Sequence, residues 1–216
     1  TTPLAGAVIY DSFQRAEQTF AWRNAPTLGN TEAGSAGVKT WVQSAWGGDT
    51  LTYGYAWGIF NTQAVCLDDE PRSHATVDSG IANHKVRCTR NVRASTYGGI
   101  CLLFRGVDAN NFLIGSFEPA SSTQGRFEIG KVVAGTYTQL WQGSLEAIGS
   151  WTELIINANG SNISIYADAV LKQTISDSTH LAGTRVGMCH PGARSAAGHR
   201  GYSMGRWRFF CAQAAD

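Results

Sequence analysis

The sequence has few charged residues and no long apolar run, and these two absences exclude whole classes of protein. Asp, Glu, Lys and Arg make up 15% of the 216 residues, and the formal net charge is +1. A dedicated nucleic-acid-binding protein needs a strong basic surplus, so we expect no nucleic-acid partner. No stretch approaches the ~20 apolar residues of a membrane-spanning helix, so we expect no membrane partner either. The first residues lack the basic segment that begins a signal peptide.

Acidic residues are missing from one long stretch near the C terminus. Between Ser178 and Ala215 there is no Asp or Glu, although several arginines fall there. A basic surface of this kind fits an acidic partner, an anionic glycan or a docking and self-association surface. The four arginines on which we base this interface prediction are Arg194, Arg200, Arg206 and Arg208. The alternative is that they lie on solvated strand faces and pair with acids from elsewhere in the chain.

The sequence also lacks the cysteine and histidine spacings of a metal site. Its five cysteines are an odd number without a CxxC pair, and no two of its five histidines have ligand spacing. We therefore expect buried thiols, a reducing compartment and no metal site. As an alternative, Cys88 and Cys101 could face each other across neighbouring strands.

What the sequence does contain is alternation with a period of two residues. In the stretch 84–92, for example, Val86 and Cys88 alternate with Lys85 and Arg87. About a dozen such runs are separated by turn signals, and the 25 glycines supply many of those turns. This pattern predicts an all-β fold, a two-sheet antiparallel β-sandwich or jelly roll, as one domain over residues 1–216. Residues 1–10 are a candidate N-terminal arm, since an apolar segment of this kind pairs readily with a sheet edge.

Two turns can be placed from local chemistry. Asn159-Gly160 separates two alternating runs, and Asn-Gly is the strongest short signal for a β-hairpin. Residues 108–111, with the sequence DANN, separate the runs GGICLLFRG and NFLIGSF. Asp and Asn tolerate the left-handed backbone and bond to their own main chain, so we interpret Asp108 as a turn residue and not as a ligand-binding residue.

Several motifs then follow one another in a recognisable order. They are YDSFQRAE, LGNTEAG, KTWVQSAW and AWGIFNTQAV, followed later by GGICLLFRGVDANNF and LAGTRVGM. This succession resembles the concanavalin A-like lectin/glucanase (laminin-G-like) sandwich domains of bacterial exported proteins and bacteriophage virion proteins. One departure is Asp168-Ala169, where the group usually has Asp-Gly. The resemblance implies a concanavalin A-like fold, which hosts lectins, glycosidases, lyases and structural modules alike.

The catalytic motifs of these enzymes are absent from the sequence. There is no E-x-D-x-E strand of the kind that resembling glucanases use, and no R-T-E-L-R or Q-I-H strand of alginate lyases. We therefore predict no catalytic residues and no enzyme activity. The alternative is a glycan hydrolase or polysaccharide lyase with an unconventional active site. It requires convergence in one groove of two residues from the set Glu118, Glu128, Tyr137 and His190.

Aromatic residues are the candidates for glycan binding. Trp46, Tyr53 and Tyr55 fall in a Gly-rich stretch where we expect exposed rings that stack on sugars, although an aromatic cluster in a sandwich is more often core. We predict no cofactor. Calcium is the alternative, because loop carboxylates bind it in sandwich lectins. Its candidate ligands are Asp11, Asp68, Asp69 and Asp108.

Together these observations and the resemblance predict a non-catalytic recognition or structural module. The expected setting is a bacteriophage virion, as a tail-associated adhesion head or a surface decoration subunit. Its expected partner is a cell-wall glycan or a neighbouring virion protein. The alternative location is the bacterial surface or the medium, as a secreted wall-associated lectin.

Overall fold

The computed structural model describes residues 6–13, 28–32, 34–48, 57–60, 63–66, 72–90, 99–121, 123–148, 152–190 and 206–215. These residues contain no helix and form sixteen strands. The strands are β1 Ala7–Asp11, β2 Val42–Ala45, β3 Trp57–Phe60, β4 Gln63–Cys66, β5 Ser73–Asp78, β6 His84–Arg90, β7 Ile100–Asp108, β8 Asn111–Pro119, β9 Gln124–Val133, β10 Thr136–Gln142, β11 Glu146–Ala147, β12 Glu153–Asn159, β13 Asn162–Ala167, β14 Val170–Ser176, β15 Arg185–Cys189 and β16 Arg206–Ala214.

The strands form two antiparallel sheets of eight strands each. Sheet 1 has the order β14-β13-β12-β6-β16-β4-β3, and β1 also pairs with β16. Sheet 2 has the order β10-β9-β8-β7-β15-β5-β2, and β11 also pairs with β9. The predicted all-β, two-sheet antiparallel sandwich is confirmed. Within the described residues no helix is long and apolar enough to cross a membrane.

The core lies between the two sheets and is made by alternate residues of each strand. Ile156 and Ile165 of sheet 1 and Leu113 of sheet 2 are fully buried in it. A Cβ atom at Gly115 would lie 2.2 Å from Cδ1 of Ile156, so the sheets approach here closely enough to require glycine. The odd-numbered residues of β8 therefore face the core, and its even-numbered residues form the other face of sheet 2.

Both predicted turns are confirmed. β12 and β13 form a hairpin whose last pair is Asn159 with Asn162, and Gly160 has the positive φ that such a turn needs (55°). Asp108 and Asn111 close the β7–β8 hairpin. The carboxylate of Asp108 accepts hydrogen bonds from the backbone N–H of Asn110 and from the side chain of Asn111. Asp108 is thus a turn residue.

The first described strand belongs to the sandwich itself. Residues 7–10, part of the candidate arm, lie in β1 and pair with β16 of the same chain. The side chains of Ala7 and Tyr10 pack with Cys211 into a small cluster. Residues 1–5 lie outside the described part of the chain.

The cysteines correct two expectations. Cys101 on β7 and Cys189 on β15 form a disulfide bond, so the expectation that all five cysteines are thiols is wrong. Cys88 and Cys101 do not face each other, because β6 belongs to sheet 1 and β7 to sheet 2. Local alternation could not reveal this, since it does not say which strands become neighbours. Cys66, Cys88 and Cys211 are buried without a disulfide.

Candidate functional site

The face of sheet 2 that points away from the core carries a second set of buried side chains. Strand register places Cys101 opposite Ser116 and Ser116 opposite Glu128, and all three lie on this face. We call it the outer face. It also carries a buried apolar cluster, which we call the outer cluster; its members are Trp46, Cys101, Leu103, Phe112, Ile114, Val132 and Cys189.

The outer face brings together two of the residues singled out from the sequence. The Tyr137 hydroxyl on β10 donates a hydrogen bond to the carboxylate of Glu128 on β9. A Cβ atom at Gly130 would lie 2.3 Å from the Tyr137 hydroxyl oxygen, so the ring crosses β9 only because residue 130 is glycine. Glu128 is only 6% exposed. The structure therefore brings together two of the four residues that the hydrolase alternative names.

Glu118 lies on the same face as Glu128, one diagonal step away. Ser116 is opposite Glu128, and Glu118 is opposite Arg126 on the same two strands. Diagonal neighbours of this kind have backbone positions ~7–8 Å apart in an antiparallel pair. Glu118 is half-buried, and its Oε2 would lie 3.3 Å from a Cβ at Gly99. The outer face thus holds two carboxylates at neighbouring positions.

Polar groups surround these carboxylates. Arg126 donates a hydrogen bond of 2.9 Å to Oε1 of Gln142. The hydroxyl of Ser116 is buried and has no hydrogen-bond partner in the described part of the chain. Neither Ser116 nor Arg126 stood out from the sequence, because each is an ordinary strand residue until register places it beside Glu118 and Glu128.

The rings expected to be exposed are only partly described. Trp46 is 3% exposed, so the expectation of an exposed ring is wrong for this residue. Its ring packs edge-on against Phe112, with centroids 5.7 Å apart, and the guanidinium of Arg72 lies 5.5 Å from its centroid. These neighbours bury it in the outer cluster. Tyr53 and Tyr55 lie outside the described residues, and ligand binding by all three stays a prediction.

His74 on β5 and His190, which follows β15, are two histidines of sheet 2 that burial holds neutral. Burial is the main reason that the pKa of His74 falls to about 4; the charge of Arg185 lowers it further, and a hydrogen bond with the carbonyl of Ala109 opposes the shift. Burial alone lowers the pKa of His190 to about 4. His190 follows β15, which lies four strands from β10. Four strand spacings are ~19 Å, so His190 and Tyr137 are not a catalytic pair.

The predicted interface and calcium residues are largely outside this site. Arg206 belongs to β16, as does Arg208, whereas Arg194 and Arg200 lie outside the described residues. The interface stays a prediction. Asp11 is fully buried and accepts hydrogen bonds from Nε1 of Trp41 and from the backbone N–H of Phe13.

Of the remaining calcium candidates, Asp108 is used in its turn. Asp68 and Asp69 are not described. Among the described residues, no group of three or more His, Cys, Asp or Glu side chains could hold a metal ion.

Comparison with known proteins gives structural matches only. No protein-family model matches the sequence, and no curated protein matches it. The carbohydrate binding module CBM66 from Bacillus subtilis is 13% identical, with a TM-score of 0.55 over 81% of this chain and 95% of the module. The β-glucanase of Bacillus licheniformis is 10% identical, with a TM-score of 0.57 over 98% and 99%. LamA from Z. galactanivorans, solved with laminaritriose and laminaritetraose, is 9% identical, with a TM-score of 0.56 over 98% and 100%.

These matches correct the prediction that the chain is not an enzyme. We based it on missing motifs, but the chain shares its architecture with a β-glucanase over nearly the full length of both proteins. The absence of an E-x-D-x-E strand therefore does not exclude a hydrolase, because register can assemble carboxylates from different strands, as it does for Glu118 and Glu128. The predicted fold is confirmed: the chain is a concanavalin A-like β-sandwich, the fold of both a carbohydrate-binding module and glycan hydrolases.

Proposed function

We propose that the chain is a glycan hydrolase whose active site is the outer face of sheet 2 around Glu118, Glu128 and Tyr137. The observation that carries the proposal is the hydrogen bond from the Tyr137 hydroxyl to the buried carboxylate of Glu128. The structural likeness to a β-glucanase supports the reaction class, and the likeness to a carbohydrate-binding module supports a glycan as the ligand.

We assign Glu128 its role from this hydrogen bond. A hydroxyl that donates to a carboxylate favours the ionised form of that carboxylate. Glycoside hydrolysis needs one ionised carboxylate and one protonated carboxylic acid on either side of the scissile bond. In the proposed mechanism Glu128 is the ionised group, and Glu118 is the proton donor.

We assign the pair a direct displacement by water, a reaction in which the two carboxyl groups lie about 6.5–9.5 Å apart. The backbone positions of Glu118 and Glu128 are diagonal neighbours, ~7–8 Å apart, and the Glu118 carboxylate extends toward Gly99 while that of Glu128 extends toward Tyr137. Glu118 would protonate the glycosidic oxygen as the bond from that oxygen to the anomeric carbon breaks. Glu128 would take a proton from the water whose oxygen bonds to the same carbon. The proposed reaction inverts the configuration of that carbon.

The residues around the pair favour a hydrolase over a lyase. A lyase that uses a Tyr–His pair needs the two side chains beside one substrate carbon, and β10 and β15 are separated by three strands. A lyase must also neutralise a substrate carboxylate, whereas the described outer face places Glu118 and Glu128 beside a single guanidinium, that of Arg126. The charge of ionised Glu128 offsets that of Arg126, so the described outer face around them has no surplus of positive charge for an anionic sugar, and we expect a neutral glycan.

Product release from a panel of neutral glycans tests the proposal. The panel includes β-glucans, laminaritriose and laminaritetraose, sugars that are bound by one structurally similar protein. The variants are Glu128→Gln, Glu118→Gln and Tyr137→Phe. We expect each glutamine variant to lose ~10²–10⁴-fold in rate, the usual contribution of acid–base groups. The matched control is Glu146→Gln, since Glu146, which pairs with Gly125 of β9, forms its ion pair with Lys172 of β14 in sheet 1.

Either of two results would contradict the proposal. One is that the unaltered chain retains glycans but releases no product from any of them. The other is that the chain hydrolyses a glycan and that Glu128→Gln is as active as Glu146→Gln. Proton magnetic resonance of the first product shows whether the anomeric configuration is inverted, which tests the assignment of Glu118 and Glu128 to a direct displacement.

The setting of this activity is a separate proposal that rests on the sequence resemblance. We propose that the chain acts on a host cell-wall glycan as part of a bacteriophage virion, in the tail or on the particle surface. An antibody raised against the chain should then bind purified particles. Detection only in the culture medium or on the cell surface would instead support the secreted or wall-associated location.

A further inference from the structure

The disulfide bond lies in the middle of the outer face. Cys101 and Cys189 are on neighbouring antiparallel strands, β7 and β15, with their Cα atoms 5.2 Å apart and 88 residues between them in sequence. Register places Cys101 opposite Ser116, which is opposite Glu128, and places Cys189 opposite His74. The disulfide is therefore in the same lateral row as the proposed base.

The disulfide also belongs to the packing beneath Tyr137. Cys101 and Cys189 are 1% and 2% exposed, and they pack in the outer cluster with Leu103, Phe112 and Val132. Tyr137 is the partly buried residue that packs against this cluster. Its hydroxyl then reaches Glu128. The cluster thus supports the ring that holds the carboxylate in place.

We propose that the candidate active site forms only when Cys101 and Cys189 are oxidised, which makes the disulfide a positioning element for Tyr137 and Glu128. This inference rests on the proposed function. Two thiols must lie at van der Waals separation, farther apart than two bonded sulfurs. The members of the outer cluster are 0–3% exposed, and buried side chains are close-packed, so separating the two sulfurs displaces their neighbours. Reduction therefore shifts the residues on which Tyr137 rests.

The redox chemistry is a two-electron exchange with a thiol reagent. A dithiol such as dithiothreitol breaks the bond between the two sulfurs, gives each sulfur one hydrogen and becomes a cyclic disulfide. Disulfides of this kind persist in oxidising compartments. The proposal therefore replaces the expected reducing compartment by an oxidising environment, such as a virion or cell surface, as the place where the disulfide forms and the protein is active.

Amide hydrogen exchange tests the inference without relying on activity. The chain is refolded from denaturant with and without dithiothreitol, and exchange is followed by mass spectrometry in residues 124–142, which cover β9 and β10, and in residues 153–167, which cover β12 and β13. We expect exchange to be at least ~10-fold faster in residues 124–142 of the reduced chain, with residues 153–167 unchanged. Glycan cleavage should be lost under the same conditions.

Cysteine variants distinguish the loss of the disulfide from any other effect of dithiothreitol. Cys101→Ala combined with Cys189→Ala should behave as the reduced chain does. Cys88→Ala combined with Cys211→Ala is the matched control, because both residues are buried in sheet 1 and neither forms a disulfide. This control should keep the exchange pattern and the cleavage rate of the oxidised chain.

The possible outcomes distinguish the two proposals. Equal exchange in oxidised and reduced chains, or faster exchange in both hairpins alike, would overturn the role of the disulfide at the site. A chain that cleaves no glycan when oxidised, yet shows faster exchange only in residues 124–142 when reduced, would overturn the proposed function and keep the positioning role. Full cleavage by the reduced chain would overturn that role.

Discussion

The guanidinium of Arg105 in sheet 2 donates a hydrogen bond of 3.1 Å to the carbonyl oxygen of Asp177, which directly follows β14, an edge strand of sheet 1. The same guanidinium donates to the carbonyl oxygen of Gly160 in the β12–β13 turn. Arg105 is fully buried, and burial lowers its pKa from the ordinary value. A single side chain thus joins the two sheets at one end of the sandwich.

Replacement of Arg105 by methionine should destabilise the protein by ~2–4 kcal/mol, because the variant leaves two carbonyl groups without their donors. Urea unfolding measures this change in the free energy of unfolding. The control is Arg87→Met, whose ion pair with Glu153 is partly exposed to solvent (28% and 17%) and should contribute about 1 kcal/mol or less. Equal losses in the two variants would show that Arg105 does not join the sheets.

The turn between β13 and β14 contains a strained alanine. Asp168 and Ala169 have φ values of 47° and 66°, the left-handed region that costs a residue with a Cβ about 1 kcal/mol or more. Ala169→Gly should therefore raise the free energy of unfolding by about 1 kcal/mol.

An exposed alanine elsewhere provides a control in which the same substitution should change the free energy of unfolding in the opposite direction. Ala120 is an exposed turn residue that has no positive φ. Ala120→Gly should lower the free energy of unfolding by about 0.4–1 kcal/mol, because glycine adds freedom to the unfolded chain. If Ala169→Gly also destabilises the protein, the turn is not strained.

The buried histidines predict a loss of stability in mild acid. Burial lowers the pKa of His84 from 6.5 to about 4, and the neighbouring charge of Arg105 adds to the shift, although a hydrogen bond with the carbonyl of Ile81 opposes it. As the pH falls below 6.5, the unfolded chain binds a proton before the folded chain does. Stability is therefore complete above pH 6.5 and falls between pH 6.5 and 4, by up to about 3 kcal/mol for this group.

Urea unfolding from pH 7.5 to 4.5, with NMR titration of the histidine rings, checks this expectation. His84→Gln should reduce the slope of stability against pH without removing it, because burial also lowers the pKa of His74 and of His190 to about 4. A His84 ring that titrates near 6.5 in the folded protein would contradict the prediction.

Gly130→Ala should disable the proposed site while leaving the core intact. The new Cβ would lie 2.3 Å from the Tyr137 hydroxyl oxygen and 2.5 Å from Cε2 of the same ring, so the ring must leave Glu128. A displacement of about 1 Å at a catalytic group can cost ~100-fold in rate, and we expect a loss of this order in glycan cleavage. The control is Thr138→Ala, an exposed position on β10. Unchanged cleavage by Gly130→Ala would remove Tyr137 from the mechanism.

The turns could be predicted from the sequence because their chemistry is local. Asp108 bonds to the backbone two residues ahead, and Gly160 supplies its own positive φ, so each can be recognised within a few residues. The fold class could also be predicted, because the alternation of apolar and polar residues and the spacing of turn signals are local features of the sequence.

The site and the disulfide could not be predicted in this way. Cys101 and Cys189 pair because β15 inserts next to β7, an arrangement that neither strand encodes alone. Glu118 and Glu128 become neighbours only through the register of β8 with β9. The burial of Trp46 likewise depends on Phe112, which is distant in sequence. The search for a catalytic triplet on one strand failed because the carboxylates of the proposed site come from two strands.

The pairing of β1 with β16 has a consequence for how this fold can be rearranged. Ala7 lies opposite Gln213, so the beginning of the first strand and the end of the last strand are side by side in sheet 1. Folds in which the first and last strands are neighbours tolerate circular permutation and insertion into a loop of another protein. A short linker from residue 214 to residue 7, with new ends opened in the exposed β13–β14 turn, would thus give a permuted chain with the same two sheets.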